Sequence, residues 1–128
     1  EHIGIAVKAI SQSNDLFLKL FGENHYKVET VESEGVSTSF FKVGETKIEL
    51  LEATRADSAI AKFIEQRGEG IHHIAFEVDD IFSEMKRLKS EGFTLLSEEP
   101  RQGADNKLIC FLHPKSVNGV LIELCQSA

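Results

Sequence analysis

The chain has no tryptophan, one tyrosine, one methionine, two prolines and two cysteines in 128 residues. Two cysteines, Cys110 and Cys125, are too few for a disulfide framework, and both are expected to be reduced, buried packing residues. Also missing is any apolar run near the roughly 20 residues that a membrane helix requires; the longest, 3–7 and 119–122, are strand-sized. No Pro- or Ser-rich linker and no low-complexity stretch divides the chain, so it has room for one compact unit or for two small halves sharing one core. Positive charge is scarce: 14 Lys and Arg face 21 Asp and Glu, a net charge of −7. That balance argues against a nucleic-acid binder, which needs a basic face to neutralise phosphates, whereas an anionic small ligand needs only local cations. The chain opens directly on an apolar strand pattern, so no signal peptide is expected. Glu1 and His2 sit at a strand start, where a few native residues or a targeting segment are expected to precede them.

What is present is a repeat. The segment HIGIAV at 2–7 reads like HIAFEV at 73–78, and KIELL at 47–51 reads like LIELC at 121–125. Four similar positions in one order, at near-equal spacing, mark a tandem duplication. In each copy a short strand (3–7; 74–78) is followed by a helix. Apolar positions at Ile10, Leu16, Leu18, Leu20 and Phe21 define the first helix, and Ile81, Met85 and Leu88 the second. Ser11 or Ser13 and Asp79 or Asp80 are the candidate N-caps, and Gly22 and Gly92 the helix stops. Strand patterns then cover 26–32, 36–43 and 46–51 in the first copy and 94–97, 108–112 and 120–125 in the second. The plan is βαβββ twice: module one over about 1–53, a linker helix over about 56–67 and module two over about 70–128.

The duplicated residues carry the chemistry. A histidine opens the first strand of each copy, His2 and His73, and a glutamate sits inside the last, Glu49 and Glu123. A carboxylate flanked by Ile48 and Leu50, or by Ile122 and Leu124, in an apolar cavity needs a cation or a strong partner. Two imidazoles and two carboxylates together make a mixed N/O site for one divalent metal, whose identity the ligand types leave open. On a six-coordinate ion they would leave two positions for substrate oxygens, a catalytic rather than a closed structural arrangement. His72 is expected on the opposite face from His73 as a structural residue, and His25 at the surface.

HIGIAV at 2–7, TKIELLEA at 46–53, the run 57–63, GIHHIAFEVDDI at 70–81, LSEEP at 96–100 and FLHPKSVNGVLIEL at 111–124 closely resemble the methylmalonyl-CoA epimerases of the vicinal oxygen chelate, or glyoxalase-like, superfamily. The resemblance implies an α+β fold, with two tandem βαβββ modules forming a curved, metal-centred sheet in a single domain over 1–128. It implies His2, Glu49, His73 and Glu123 as ligands of one divalent metal, with cobalt favoured by the resemblance among Co, Zn, Ni, Mn and Mg, and Glu123 as a catalytic base. Two carboxylate ligands would make the site formally neutral and weaken its pull on an enolate, relative to the Gln that some members carry at the Glu49 place. Some members place the second base at a Glu that aligns with Thr38, which is no carboxylate; Glu34, Glu32 and a metal-bound water are the substitutes, left unranked. For the CoA phosphates of the implied substrate, methylmalonyl-CoA, the candidate cations are Lys115, Lys107 and Arg101. A homodimer working in propionate metabolism, in the cytoplasm or in the mitochondrial matrix of a eukaryote, is implied as well. The competing readings are a glyoxalase-type isomerase, an extradiol dioxygenase, which leaves Glu49 unexplained, and a non-catalytic ligand-binding protein of the same fold, which needs no metal ligands.

Overall fold

Branched aliphatic residues at alternate positions favour extended backbone, and the apolar segment that opens each repeat is a strand. The computed structural model describes residues 1–127. By its internal contacts the chain divides into two units, His2–His72 and His73 onward together with Glu1. The first unit runs β1 (His2–Ala6), α1 (Ile10–Phe21), β2 (Lys27–Val31), β3 (Val36–Val43), β4 (Thr46–Ala53) and α2 (Ala59–Arg67). Its strands lie in the order β2-β3-β4-β1, with β4 parallel to β1 and β3 antiparallel to both β2 and β4. The second begins within β5 (Gly70–Glu77) and continues with α3 (Ile81–Ser90), β6 (Arg101–Gln102), β7 (Lys107–Leu112) and β8 (Ile122–Ser127), in the order β5-β8-β7-β6. Both units are βαβββ, as the repeat requires.

Each unit packs its first helix on one face of its own strands. In the first, Ile10, Phe17 and Phe21 meet Val7, Phe41 and Leu50. In the second, Ile81, Met85 and Leu88 meet Cys110, Leu112 and Leu124. Burial of each such aliphatic side chain contributes about 1.5–3 kcal/mol. The duplication reaches the hydrogen bonds. Three residues beyond each repeated glutamate a side chain accepts the N–H of the first helical residue: Ile10 donates to Glu52 Oε1 at 2.7 Å, and Ile81 to Gln126 Oε1 at 2.6 Å. Val7 donates to the Leu51 carbonyl and Val78 to the Cys125 carbonyl, both at 2.9 Å.

Several expectations need correcting. Ser11 and Ser13 lie inside α1, because Ala9 occupies its N-cap and the Glu52 carboxylate takes over the capping role. Leu16 and Leu20 are 62% and 68% exposed; the helix turns the stripe of Ile10, Phe17 and Phe21 to the strands instead. Asp80 does cap α3, accepting from the N–H groups of Phe82 and Ser83, and Gly22 closes α1 at φ +75°, a left-handed conformation that suits glycine. Residues 94–97 form no strand: Leu95 makes a single bridge to Leu112, and Ser97 turns back onto the Glu99 carbonyl ahead of Pro100, which has no N–H to give a ladder. The linker helix ends where expected but starts later, at Ala59, where the Ser58 side chain caps it. His25 is half-buried, its ring 5.9 Å from that of Phe41, because the turn after Gly22 folds it over the core that α1 covers. Both cysteines are buried and free. Among the described residues no helix is long and apolar enough to cross a membrane.

Candidate functional site

Paired residues on neighbouring strands direct their side chains to one face of a sheet, so register decides what meets the repeated glutamates. Gly4 pairs with Glu49 and Ala75 with Glu123. The histidine two residues earlier on the same strand, His2 or His73, therefore shares the glutamate's face. Only Gly4 or Ala75 lies between them, and neither is large enough to part them. The result is the same pair twice. His2 Nδ1 lies 3.1 Å from Glu49 Oε2, and His73 Nε2 lies 3.2 Å from Glu123 Oε1. All four residues are buried.

An N···O spacing of this size serves a hydrogen bond when the ring nitrogen carries a proton. It serves two adjacent ligands of a metal when it does not: bonds near 2.1 Å at right angles put donor atoms roughly 3 Å apart. Neutral imidazole with carboxylate is a donor set for a divalent ion, and each unit offers one such set, so the residues present fit a metal.

The far side of each glutamate is closed alike. Phe40 on β3 pairs with Glu49, and Phe111 on β7 with Glu123. The Phe111 ring stands edge-on to His73 at 5.7 Å. Over each phenylalanine sits a cation, Lys27 Nζ at 4.6 Å from the Phe40 centroid and the Arg101 guanidinium at 5.7 Å from that of Phe111. Arg101 is thus near Glu123 within its unit. Lys115 lies exposed in the 3-10 turn Pro114–Ser116, whose start His113 caps by accepting the Lys115 N–H at Nδ1, 3.0 Å away. Lys107 is held by carboxylates, Glu1 at 3.6 Å and Glu77 at 3.7 Å, and donates to Ser127. Thr38 lies on the face of Glu49, paired with Leu51 and Glu29, and is 1% exposed. Glu32 and Glu34 lie in a 3-10 turn beyond the end of β2. His72 turns away from His73 and stacks edge-on to Phe63 at 5.0 Å.

Cys125 follows Glu123 on the same face, and Cys110 lies on the face packed against α3. Burial, reinforced by the Glu123 carboxylate, pushes the Cys110 thiol up to about 11. Burial, then Glu1 and Glu123, pushes that of Cys125 up to about 12. Both are protonated at neutral pH, which makes them poor nucleophiles. Two charged residues on the Glu49 face, Lys27 and Glu29, escaped notice in the sequence. The available signal was the alternation of Lys27, Glu29 and Val31 against Val28 and Thr30, but only the register with β3 tells which set turns inward.

Residues 1–111 match the model of the glyoxalase/bleomycin resistance protein/dioxygenase superfamily. The chain is 40% identical over 126 residues to the uncharacterized protein YqjC of Bacillus subtilis, covering 98% of this chain and 90% of that one. It is 40% identical over 124 residues to the mitochondrial methylmalonyl-CoA epimerase of Dictyostelium discoideum, covering 96% and 75%. Among solved structures, the methylmalonyl-CoA epimerase of Streptomyces coelicolor in complex with 2-nitronate-propionyl-CoA is similar at a TM-score of 0.96 and 36% identity, over 100% of this chain and 93% of that one. The chain belongs to the glyoxalase/bleomycin resistance protein/dioxygenase superfamily and, within it, to the methylmalonyl-CoA epimerase family.

Proposed function

We propose that this protein is a methylmalonyl-CoA epimerase, interconverting the (R) and (S) forms by taking the proton from C2 and returning it on the other side. The observation that carries the reading is the buried His–Glu pair, built at one register in both units of a chain from this family. His2, Glu49, His73 and Glu123 would together hold one divalent ion. That ion would supply Lewis-acid stabilisation of the negative charge that develops on the thioester as the proton leaves. Glu123 has two carboxylate oxygens, so one can serve as ligand while the other takes the proton from C2. Phe40, fully buried, and Phe111, partly buried, shield the glutamates from water, which strengthens the charge interactions there.

Lys115, exposed in its turn, is a better candidate for the CoA phosphates than Lys107, which already has two carboxylate partners, and Arg101 remains a candidate beside it. Cobalt as the ion, a homodimer, a place in propionate metabolism and a cytoplasmic or mitochondrial location belong to the same proposal and rest on family membership. A glyoxalase-type isomerase is the alternative, and turnover of glutathione adducts would favour it.

The test is exchange of the C2 proton of methylmalonyl-CoA for deuterium in heavy water, with and without chelator. Exchange that chelator suppresses is expected. Absence of exchange, or exchange that chelator leaves unchanged, refutes the metal-assisted epimerase reading.

A further inference from the structure

The short strand β6 and the turn after it fold over the face that carries Glu123, and every residue involved belongs to the second unit. Arg101 pairs with Ile109, and Ile109 with Cys125, two residues beyond Glu123 on the same face. Arg101 therefore faces that side too. Its guanidinium leans into the neighbouring row, Phe111–Glu123–Ala75, and lies 5.7 Å from the Phe111 centroid. The Phe111 ring in turn stands 5.7 Å from that of His73, whose Nε2 is 3.2 Å from Glu123 Oε1. Gly103 approaches Ile109 so closely that a Cβ there would stand 2.8 Å from Cδ1 and 2.9 Å from Cγ2. The Gly103 N–H donates to the Lys107 carbonyl at 2.9 Å. Asp105 and Asn106 close the turn at φ +60° and +55°, left-handed conformations that persist only where the surroundings impose them. The hairpin is thus held down on the Glu123 face and presents a guanidinium there.

Charge gives that guanidinium a task. Two glutamates set against a divalent ion leave the proposed site formally neutral. Methylmalonyl-CoA brings a free carboxylate, and loss of the C2 proton adds a second negative charge beside Glu123. Lys107, on the same face, is already held by Glu1 and Glu77. A planar guanidinium meets a carboxylate with two parallel N–H···O bonds, which an ammonium cannot reproduce. We propose that Arg101 binds the free carboxylate of the acyl group and offsets the charge that the neutral site leaves uncompensated. It thereby makes the protein selective for carboxyl-bearing acyl-CoA thioesters over neutral ones. The inference rests on the epimerase reading and narrows Arg101 from a phosphate contact to an acyl contact.

The experiment measures by calorimetry the dissociation constants of malonyl-CoA, which has the carboxylate, and propionyl-CoA, which lacks it. Wild type, Arg101→Gln and Arg101→Lys are compared, each saturated with cobalt(II). The two ligands share every CoA phosphate, so only a contact to the acyl group divides them. Arg101→Gln is expected to weaken malonyl-CoA at least about tenfold and to leave propionyl-CoA within about twofold of wild type, as the loss of a charged hydrogen-bonded pair requires. Arg101→Lys recovers only part of the malonyl-CoA affinity. Equal weakening of both ligands would assign Arg101 to the phosphates, and no weakening of either would remove it from the site; each overturns the proposal. Deuterium exchange at C2 of methylmalonyl-CoA by the wild type keeps the two readings apart. Exchange without the split between ligands leaves the epimerase reading standing and Arg101 without its role, whereas absence of exchange brings both down.

Discussion

Residue by residue, the site is a set of side chains where ordinary packing would not put them. Glu49 and Glu123 stand between branched aliphatic neighbours and are buried, which is unfavourable for a carboxylate without a partner. That anomaly was legible in the sequence because it occurs twice beside a repeated histidine. Which face Lys27 and Glu29 take was not legible, because Lys27, Val28, Glu29 and Thr30 read equally well as a solvated edge strand until pairing with β3 shows which way each points. The cysteines were legible as packing residues, and their surroundings make a testable statement. With its thiol pushed up to about 11 and no exposed surface, Cys110 should stay unlabelled by iodoacetamide at pH 8 in the native protein and react once denaturant opens the core. Peptide mass analysis reads this directly. Native labelling at the rate of a free thiol would contradict the packing described for α3.

Among the elements, the strands bearing the repeated glutamates and histidines were legible from alternation, but the helix starts were not. No sequence rule within α1 points to Glu52, because the acceptor comes from a strand 42 residues away. The same device in the second unit, Gln126 to the Ile81 N–H, shows that it belongs to the βαβββ design. Gln126→Ala leaves that N–H without its partner at a residue with no exposed surface. It should therefore cost roughly 1–3 kcal/mol, measured as a lower urea midpoint with an unchanged slope. An unchanged midpoint would mean that the helix start draws nothing from this bond. The strand expected at 94–97 failed for the opposite reason: its local composition suits a strand, but Pro100 and the turn at Ser97 leave it a single bridge rather than a ladder.

For the whole molecule, duplication is the organising fact. It was visible in the sequence as four similar segments, and it extends to matched registers, matched phenylalanines over the glutamates and matched helix starts. Which cations serve the substrate was less visible, since charge in a loop reads the same whether it is engaged, as Lys107 is, or exposed, as Lys115 is. The central proposal is that the two His–Glu pairs, which present His2 Nδ1 and His73 Nε2 to their glutamates, jointly hold one ion. Titration calorimetry of the metal-stripped protein with a divalent cation tests it most directly. The account predicts one ion per chain, with binding weakened at least about tenfold both by Glu49→Ala in the first unit and by Glu123→Ala in the second, as expected when either of two shared ligands is lost. Two ions per chain, or a single ion indifferent to one of the two substitutions, would contradict it.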